Sequence, residues 1–212
     1  MFEKKKITRS RDSEATKTRI ITAARKEFAD LGFGGARVDE IAEKAKANKR
    51  MIYHYYGSKE ALFQYVLEKE YEKIRASEKS LKLEHLPANE ALRELVTFTW
   101  KYYLENPEFL TLVNSENLHR ARHLKKSRTI TQSGEQLITM VEELLKRGVE
   151  EGVFRENVDP VQLNITIASI GYYYLTNRHT GSILFGFDFM SSNALDKRLK
   201  FNLETIDRLV GV

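Results

Sequence analysis

The chain has 212 residues, 42% of them hydrophobic and 31% charged, with a net charge of +5, a balance that suits one or two globular domains. It has no cysteine, which excludes disulfide scaffolds, thiolate metal sites and cysteine nucleophiles, and its three prolines and eleven glycines are too few for a turn-rich all-β chain. No stretch approaches the ~18 uninterrupted apolar residues of a membrane span, and the polar start MFEKKKITRSRD lacks the apolar core of a signal peptide, so a cytoplasmic protein is expected.

Residues 1–13 are charged and without periodicity, and read as a flexible basic arm able to touch phosphate. From Thr16, the residues Ile20, Ala24, Phe28 and Leu31 recur at helical spacing, and Gly32 is placed to end that helix. The segment VDEIAEKAK forms a short second helix, with Asp39 and Glu40 in the first turn, where the helix dipole favours acids. After the brief link Lys46-Ala47-Asn48, Asn48 caps a third helix, Lys49 to Tyr56, which ends at Gly57. Two short helices joined by a turn of this length have the spacing of a helix-turn-helix. Ser58 then caps a long helix with Leu62, Phe63, Val66, Leu67, Tyr71 and Ile74 on its apolar side.

The remainder also reads helical. Helices are expected over 89–105, 108–122, about 129–151, about 161–180 and 193–210. GVFRENVD reads as a turn and GSILFGFDFMSS as an apolar, glycine-punctuated connector. The fold class is therefore all-α, with an N-terminal domain over 14–74 and a helical body over 75–212.

Charge is unevenly spread. Residues 1–60 hold 15 Lys+Arg against 9 Asp+Glu, a net of +6, which leaves −1 for the rest. A basic front on a near-neutral body is the footprint of a nucleic-acid-binding head, although it also fits a tail kept for solubility. The third helix, KRMIYHYY, decides between them. A recognition helix needs cations for phosphate, polar tips for base edges and an apolar underside. Lys49, Arg50, Tyr53 and His54 can face outward while Ile52 and Tyr56 face inward.

The run FADLGFGGARVDEIAEKAKANKRMIYHYYGSKEALF resembles the DNA-binding region of the tetracycline-repressor (TetR) family. The matching pieces are Phe28 with Leu31-Gly32-Phe33, the pair Ile41-Ala42, Ile52-Tyr53-His54-Tyr55-Tyr56, and Ser58-Lys59-Glu60-Ala61-Leu62-Phe63. Together they cover about residues 15–65. The resemblance implies DNA contacts at Val38, Lys49, Arg50, Met51, Tyr53, Tyr55 and Lys59, with Arg37 as a phosphate partner. It also implies a homodimer that binds an inverted repeat in double-stranded DNA through the major groove. The sequence departs from the family at three places. Ala36-Arg37 stand where Ser or Thr is usual, Lys46-Ala47-Asn48 replace Gly-Val-Ser, and Lys49-Arg50 are more basic. Lys46 in place of glycine predicts strain or another turn conformation. The extra cations serve either guanine contacts or sequence-blind affinity.

The family's other habits concern the body. Dimerisation through the last two long helices, about 160–180 and 193–210, would use Ile165, Ala168, Ser169 and Tyr172. A small-molecule effector site would draw on Trp100, Tyr103, Phe109, Asn114, Tyr173 and Asn177. By family analogy the function is a ligand-responsive repressor; an effector-independent architectural or cell-division factor is the alternative. No cofactor motif, phosphate loop or serine elbow is present, so an enzyme is not expected. His119 and His123 are four apart, a metal-ligand spacing, but Arg120, Arg122, Lys125 and Lys126 crowd them.

Overall fold

The computed structural model describes backbone for residues 2–125 and 127–212, and side chains for residues 12–125 and 127–212. Among the described residues are ten α-helices: α1 (Phe2–Gly35), α2 (Val38–Lys44), α3 (Lys49–Tyr56), α4 (Lys59–Lys79), α5 (Ala88–Glu105), α6 (Pro107–Leu118), α7 (Arg128–Glu150), α8 (Pro160–Thr176), α9 (Arg178–Phe185) and α10 (Ser192–Val210). A 3-10 turn, Leu83–His85, precedes α5. The side chains of the expected arm lie largely outside the described residues. Its backbone from Phe2 onward continues α1 as helix, for which its Lys, Arg and Glu are good formers. Gly32 breaks α1 as its position predicts, with φ 65° and ψ 175°.

The chain divides into two units. Unit 1 is residues 1–70 with 111–127, and unit 2 is residues 71–110 with 128–212. A division in chain order at residue 74 does not anticipate that 111–127 belongs with the head.

Unit 1 is built on Ile20, Ala24, Phe28, Ile41, Ile52, Leu62, Phe63 and Leu67, all within 1% of full burial, and Leu112 from α6 joins them. The segment after the α6 start is fastened by polar groups. Phe33 N–H donates to Ser115 Oγ at 3.1 Å. Glu116 Oε1 accepts from the backbone N–H of His123 and of Leu124, and its Oε2 lies 2.6 Å from His123 Nδ1. The His123 ring packs on Phe33 and Phe63. His123 is thus a buried, paired histidine of the core.

Unit 2 is a bundle of α5, α7, α8 and α10 around Leu92, Leu95, Val141, Leu163, Ile167 and Ile206. Asp159 caps α8 through bonds from the N–H groups of Val161 and Gln162. Helix α8 ends at Thr176, short of the expected residue 180, because Asn177 leaves helical geometry (φ −99°, ψ 12°). The expected connector GSILFGFDFMSS instead holds most of α9, which ends at Gly186 in the left-handed region.

Candidate nucleic-acid interface

Helix α3 is two turns long, and each end is fixed by its neighbours in sequence. The Asn48 side chain accepts from Arg50 N–H at 2.8 Å, satisfying one of the free donors of the first turn. Gly57 closes the helix at φ 80°, with its N–H on the Tyr53 carbonyl. Ile52, 1% exposed, anchors the underside in the core of unit 1. Arg50 and His54 are left exposed on the other side, with Tyr53 at 42% and Met51 partly covered.

Helix α2 is held at its start by Glu27 of α1. The buried Glu27 carboxylate accepts from Arg37 N–H at 3.3 Å and pairs with Lys44. Burial works to raise its pKa, but Lys44 and the Arg37 N–H overcome that and hold it below the usual carboxylate value. The Arg37 side chain is exposed. Arg19 Nε donates to the Ala45 carbonyl at 3.0 Å, fixing the far end of α2 to α1.

The turn between α2 and α3 carries the departure seen in the sequence. Lys46 has φ 49°, the left-handed region that costs a residue with a Cβ. The turn thus keeps the glycine conformation without the glycine.

The residues named from the resemblance do not all stand alike. Arg37, Lys49, Arg50, Tyr53 and His54 are exposed, on α3 or at the start of α2. Val38, expected as a contact, is 7% exposed and packs in the core of unit 1. Tyr55 is partly buried against α1. It accepts from the Ser13 hydroxyl at 3.2 Å and lies under the Lys17 ammonium, 5.5 Å from the ring centroid. Lys59, at the first position of α4, is half-buried with its ammonium 4.7 Å above the Phe33 ring. Tyr56 turns inward to the Tyr65 ring, and burial pushes its phenol up to about 12.

One relationship escaped the sequence reading. Lys49 Nζ lies 2.7 Å from Asp39 Oδ1 and donates to Oδ2 at 2.9 Å. The hydrogen bond raises the lysine pKa above its ordinary value. Ten residues separate the pair, so helical spacing does not reveal it.

The residues expected to line an effector site differ in their surroundings. Trp100, Tyr103 and Phe109 are buried, Trp100 edge-on to Tyr174 and Tyr103 stacked on Phe109. Trp100 meets the Tyr174 ring at 5.7 Å, and Tyr103 meets Phe109 at 6.0 Å. Tyr173 is 59% exposed, Asn177 caps α8 by donating to the Tyr173 carbonyl, and Asn114 belongs to unit 1. Bulky aromatics at helical spacing filled the core here. An open cavity of about 1030 Å³ lies elsewhere in unit 2, between the end of α4, the 3-10 turn and α7. Arg75, Glu78, Gln132, Gln136, Met140 and Arg147 are among the residues that line it. Burial pushes the Glu78 carboxyl up to about 7, against the pull of Arg75 at 2.6 Å.

Of the four residues expected at a dimer interface, Ile165 and Ser169 are exposed, and Ala168 and Tyr172 are partly covered. Exposed apolar side chains continue beyond them, at Val161 on α8, Ile183, Leu184 and Phe185 on α9, and Phe201 on α10. No described helix is long and apolar enough to cross a membrane.

Comparison with known proteins agrees with this layout. The sequence pattern described as bacterial regulatory proteins of the tetR family matches residues 20–66, and that described as a tetracyclin repressor-like C-terminal domain matches residues 89–206. The chain is 37% identical to the HTH-type transcriptional repressor NicS of Pseudomonas putida over 200 residues, 94% of this chain and 92% of that protein. A 60-residue stretch, 28% of this chain and 31% of its relative, is 60% identical to the HTH-type transcriptional repressor SCO4008 of Streptomyces coelicolor. A TetR family regulator from Marinobacter aquaeolei shares the fold, with a TM-score of 0.72 at 18% identity over 96% of this chain and 98% of that one. The head with its exposed, basic α3 and the helical body together place this chain in the tetracycline-repressor family: it is a helix-turn-helix DNA-binding transcriptional regulator and not an enzyme.

Proposed function

We propose that the protein is a ligand-responsive repressor that binds an inverted-repeat operator as a homodimer in the cytoplasm. The observation that carries the reading is α3. Its Ile52 is anchored in the core while Arg50, Tyr53 and His54 are exposed, as are Arg37 and the Lys49–Asp39 pair. Such a helix fits the major groove. Cations take phosphates, and side-chain tips reach base edges. The relatives named as repressors support the sign of regulation.

Two copies are needed because one two-turn helix reads few base pairs, and a pair of heads doubles the contact. The apolar residues exposed on α8 and α10, Val161, Ile165 and Phe201, support a helical interface between copies. The cavity lined by Arg75, Glu78 and Arg147 supports an effector site in unit 2. A ligand that binds one spacing of the heads better than another shifts the population away from the DNA-bound state.

The test is selection of genomic fragments by the purified protein at near-physiological salt, with light scattering on the same sample. Recovery of a common inverted repeat by a dimer supports the reading. Salt-sensitive, sequence-blind recovery favours an architectural role, and a monomer at all concentrations removes the dimer.

A further inference from the structure

The cations exposed on the recognition surface are Arg37, Lys46, Lys49 and Arg50. One of them is engaged: both carboxylate oxygens of Asp39 sit within 2.9 Å of Lys49 Nζ. Asp39 stands in the first turn of α2 and Lys49 at the first position of α3, so the pair closes the gap between the two helix starts. Both side chains remain largely exposed, at 70% and 45%. An acid in the first turn of α2 suits the helix dipole, but Glu40 beside it serves that purpose without touching Lys49.

A carboxylate on a surface that meets phosphate is repelled by every DNA sequence alike. Its presence therefore weakens binding of the sequence-blind kind, which rests on cations reaching phosphate. A free lysine offers a mobile point charge to any phosphate within its reach. Lys49 held by Asp39 does not. It leaves the carboxylate only for acceptors that replace contacts of 2.7 and 2.9 Å. The paired acceptors O6 and N7 of guanine do this at a matching site, as does a phosphate in direct contact there, whereas the water-separated phosphates of loose, sequence-blind encounters do not.

We propose that Asp39 is a specificity-determining residue of the recognition surface, which restrains Lys49 so that its charge is spent on a matching base edge and withheld from phosphates at large. Asp39 acts through Lys49 and is a positioning residue. The proposal rests on the reading of Lys49 as a DNA contact.

The experiment uses the full chain and two DNA probes: the fragment recovered by selection with the unaltered protein, and a scrambled fragment of equal length and composition. Affinity for each is measured over a range of salt for the unaltered protein, Asp39→Asn, Lys49→Ala and the double variant. Asp39→Asn is expected to bind the scrambled probe more tightly, on the order of threefold, an amount typical of one exposed ion pair. Its logarithmic salt slope on that probe steepens by about one phosphate contact. Affinity for the recovered fragment does not rise in step, so the ratio between probes falls. Asp39→Glu, which keeps the charge, restores part of the ratio. A change in helix stability alone moves neither the ratio nor the slope. In the Lys49→Ala background the Asp39 effect disappears.

The proposal is overturned if the ratio for Asp39→Asn matches the unaltered protein, or if the same shift persists without Lys49, since Asp39 would then act only as bulk negative charge. Wild-type affinity of Lys49→Ala for both probes removes the underlying contact reading, and this proposal with it. Asp39→Ser carries the same comparison if Asp39→Asn does not fold.

Discussion

The Ser13 hydroxyl donates to the phenol oxygen of Tyr55 at 3.2 Å, which ties the last turn of the recognition helix to α1. Tyr55 and Tyr53 are two residues apart and serve different purposes. Tyr53 stands out from α3, whereas Tyr55 holds α3 to its support. Tyr55→Phe keeps the ring and loses the bond, so folding stability falls by about 1 kcal/mol. Affinity for the recovered fragment then changes less than about twofold, since the loss falls on folding and not on a DNA contact. Tyr53→Ala has the opposite profile. Its melting temperature is preserved and its DNA affinity falls by about tenfold, near 1.4 kcal/mol. Thermal melts and fluorescence anisotropy on the same samples separate the two roles.

Lys46 holds the left-handed turn between α2 and α3 at φ 49°. Lys46→Gly relieves the Cβ contact with the backbone, and stability rises by about 1 kcal/mol. The same change removes a positive charge next to α3, so sequence-blind DNA binding weakens and its salt slope flattens by up to about one contact. Denaturant titration reads the first effect and anisotropy on scrambled DNA the second. A lower stability would mean that the Lys46 side chain supports the turn.

The head was the legible part of the chain, for reasons local to its residues. Asn48 and Gly57 mark the ends of α3, and Ile52 identifies its buried side. The burial of Val38 was hidden because a residue at a helix start faces core or solvent according to what lies beneath it. The Asp39–Lys49 pair was hidden because it spans a turn. Unit 2 was legible as helices but not as a site. Trp100, Tyr103 and Phe109 carry the composition of a ligand pocket and of a core equally well, and only their burial against neighbouring rings distinguishes the two. Helix α9 was missed because its glycines, Gly181 and Gly186, suggest a turn. Gly181 instead sits inside the helix against the Phe189 ring, and Gly186 alone ends it.

Glu78 gives unit 2 a stability that depends on pH. Burial raises its folded-state pKa to about 7 from an ordinary 4.5. The folded chain therefore holds the proton more tightly than the unfolded one. The associated stability is complete below about pH 4.5 and is lost as pH rises through 7. Between pH 5 and pH 8 the loss is on the order of 2 kcal/mol. Glu78→Gln cannot ionise, so its stability changes less over the same range, and the two proteins diverge most at pH 8. Melting temperatures at both pH values check this, and parallel curves would show that Arg75 keeps Glu78 charged throughout.

Gly148 on α7 faces the Phe154 ring so closely that an added Cβ would come within 1.9 Å of Cδ2. Phe154 is in turn bridged to Gly211, and Arg155 N–H donates to the Val210 carbonyl at 2.8 Å. Gly148→Ala forces the ring away and disturbs that whole junction. Overpacking of this kind costs about 1–3 kcal/mol, against the few tenths to 1 kcal/mol that alanine returns in helix propensity. Urea unfolding is expected to show a net loss, and a more stable variant would mean that Phe154 has another rotamer to occupy.

The membership of residues 111–127 in unit 1 has a consequence for how the protein is made. The ribosome delivers residue 70 well before residue 127, and at cellular rates the interval is roughly 3–11 s. For most of it, the DNA-binding head lacks Leu112, Ser115, Glu116 and His123, and the Phe33 and Phe63 rings stand without the His123 ring. The nascent head acquires its finished form only after the first part of the body has been made. A regulator assembled in this order does not complete its DNA-binding head before the first part of the helical body has been made.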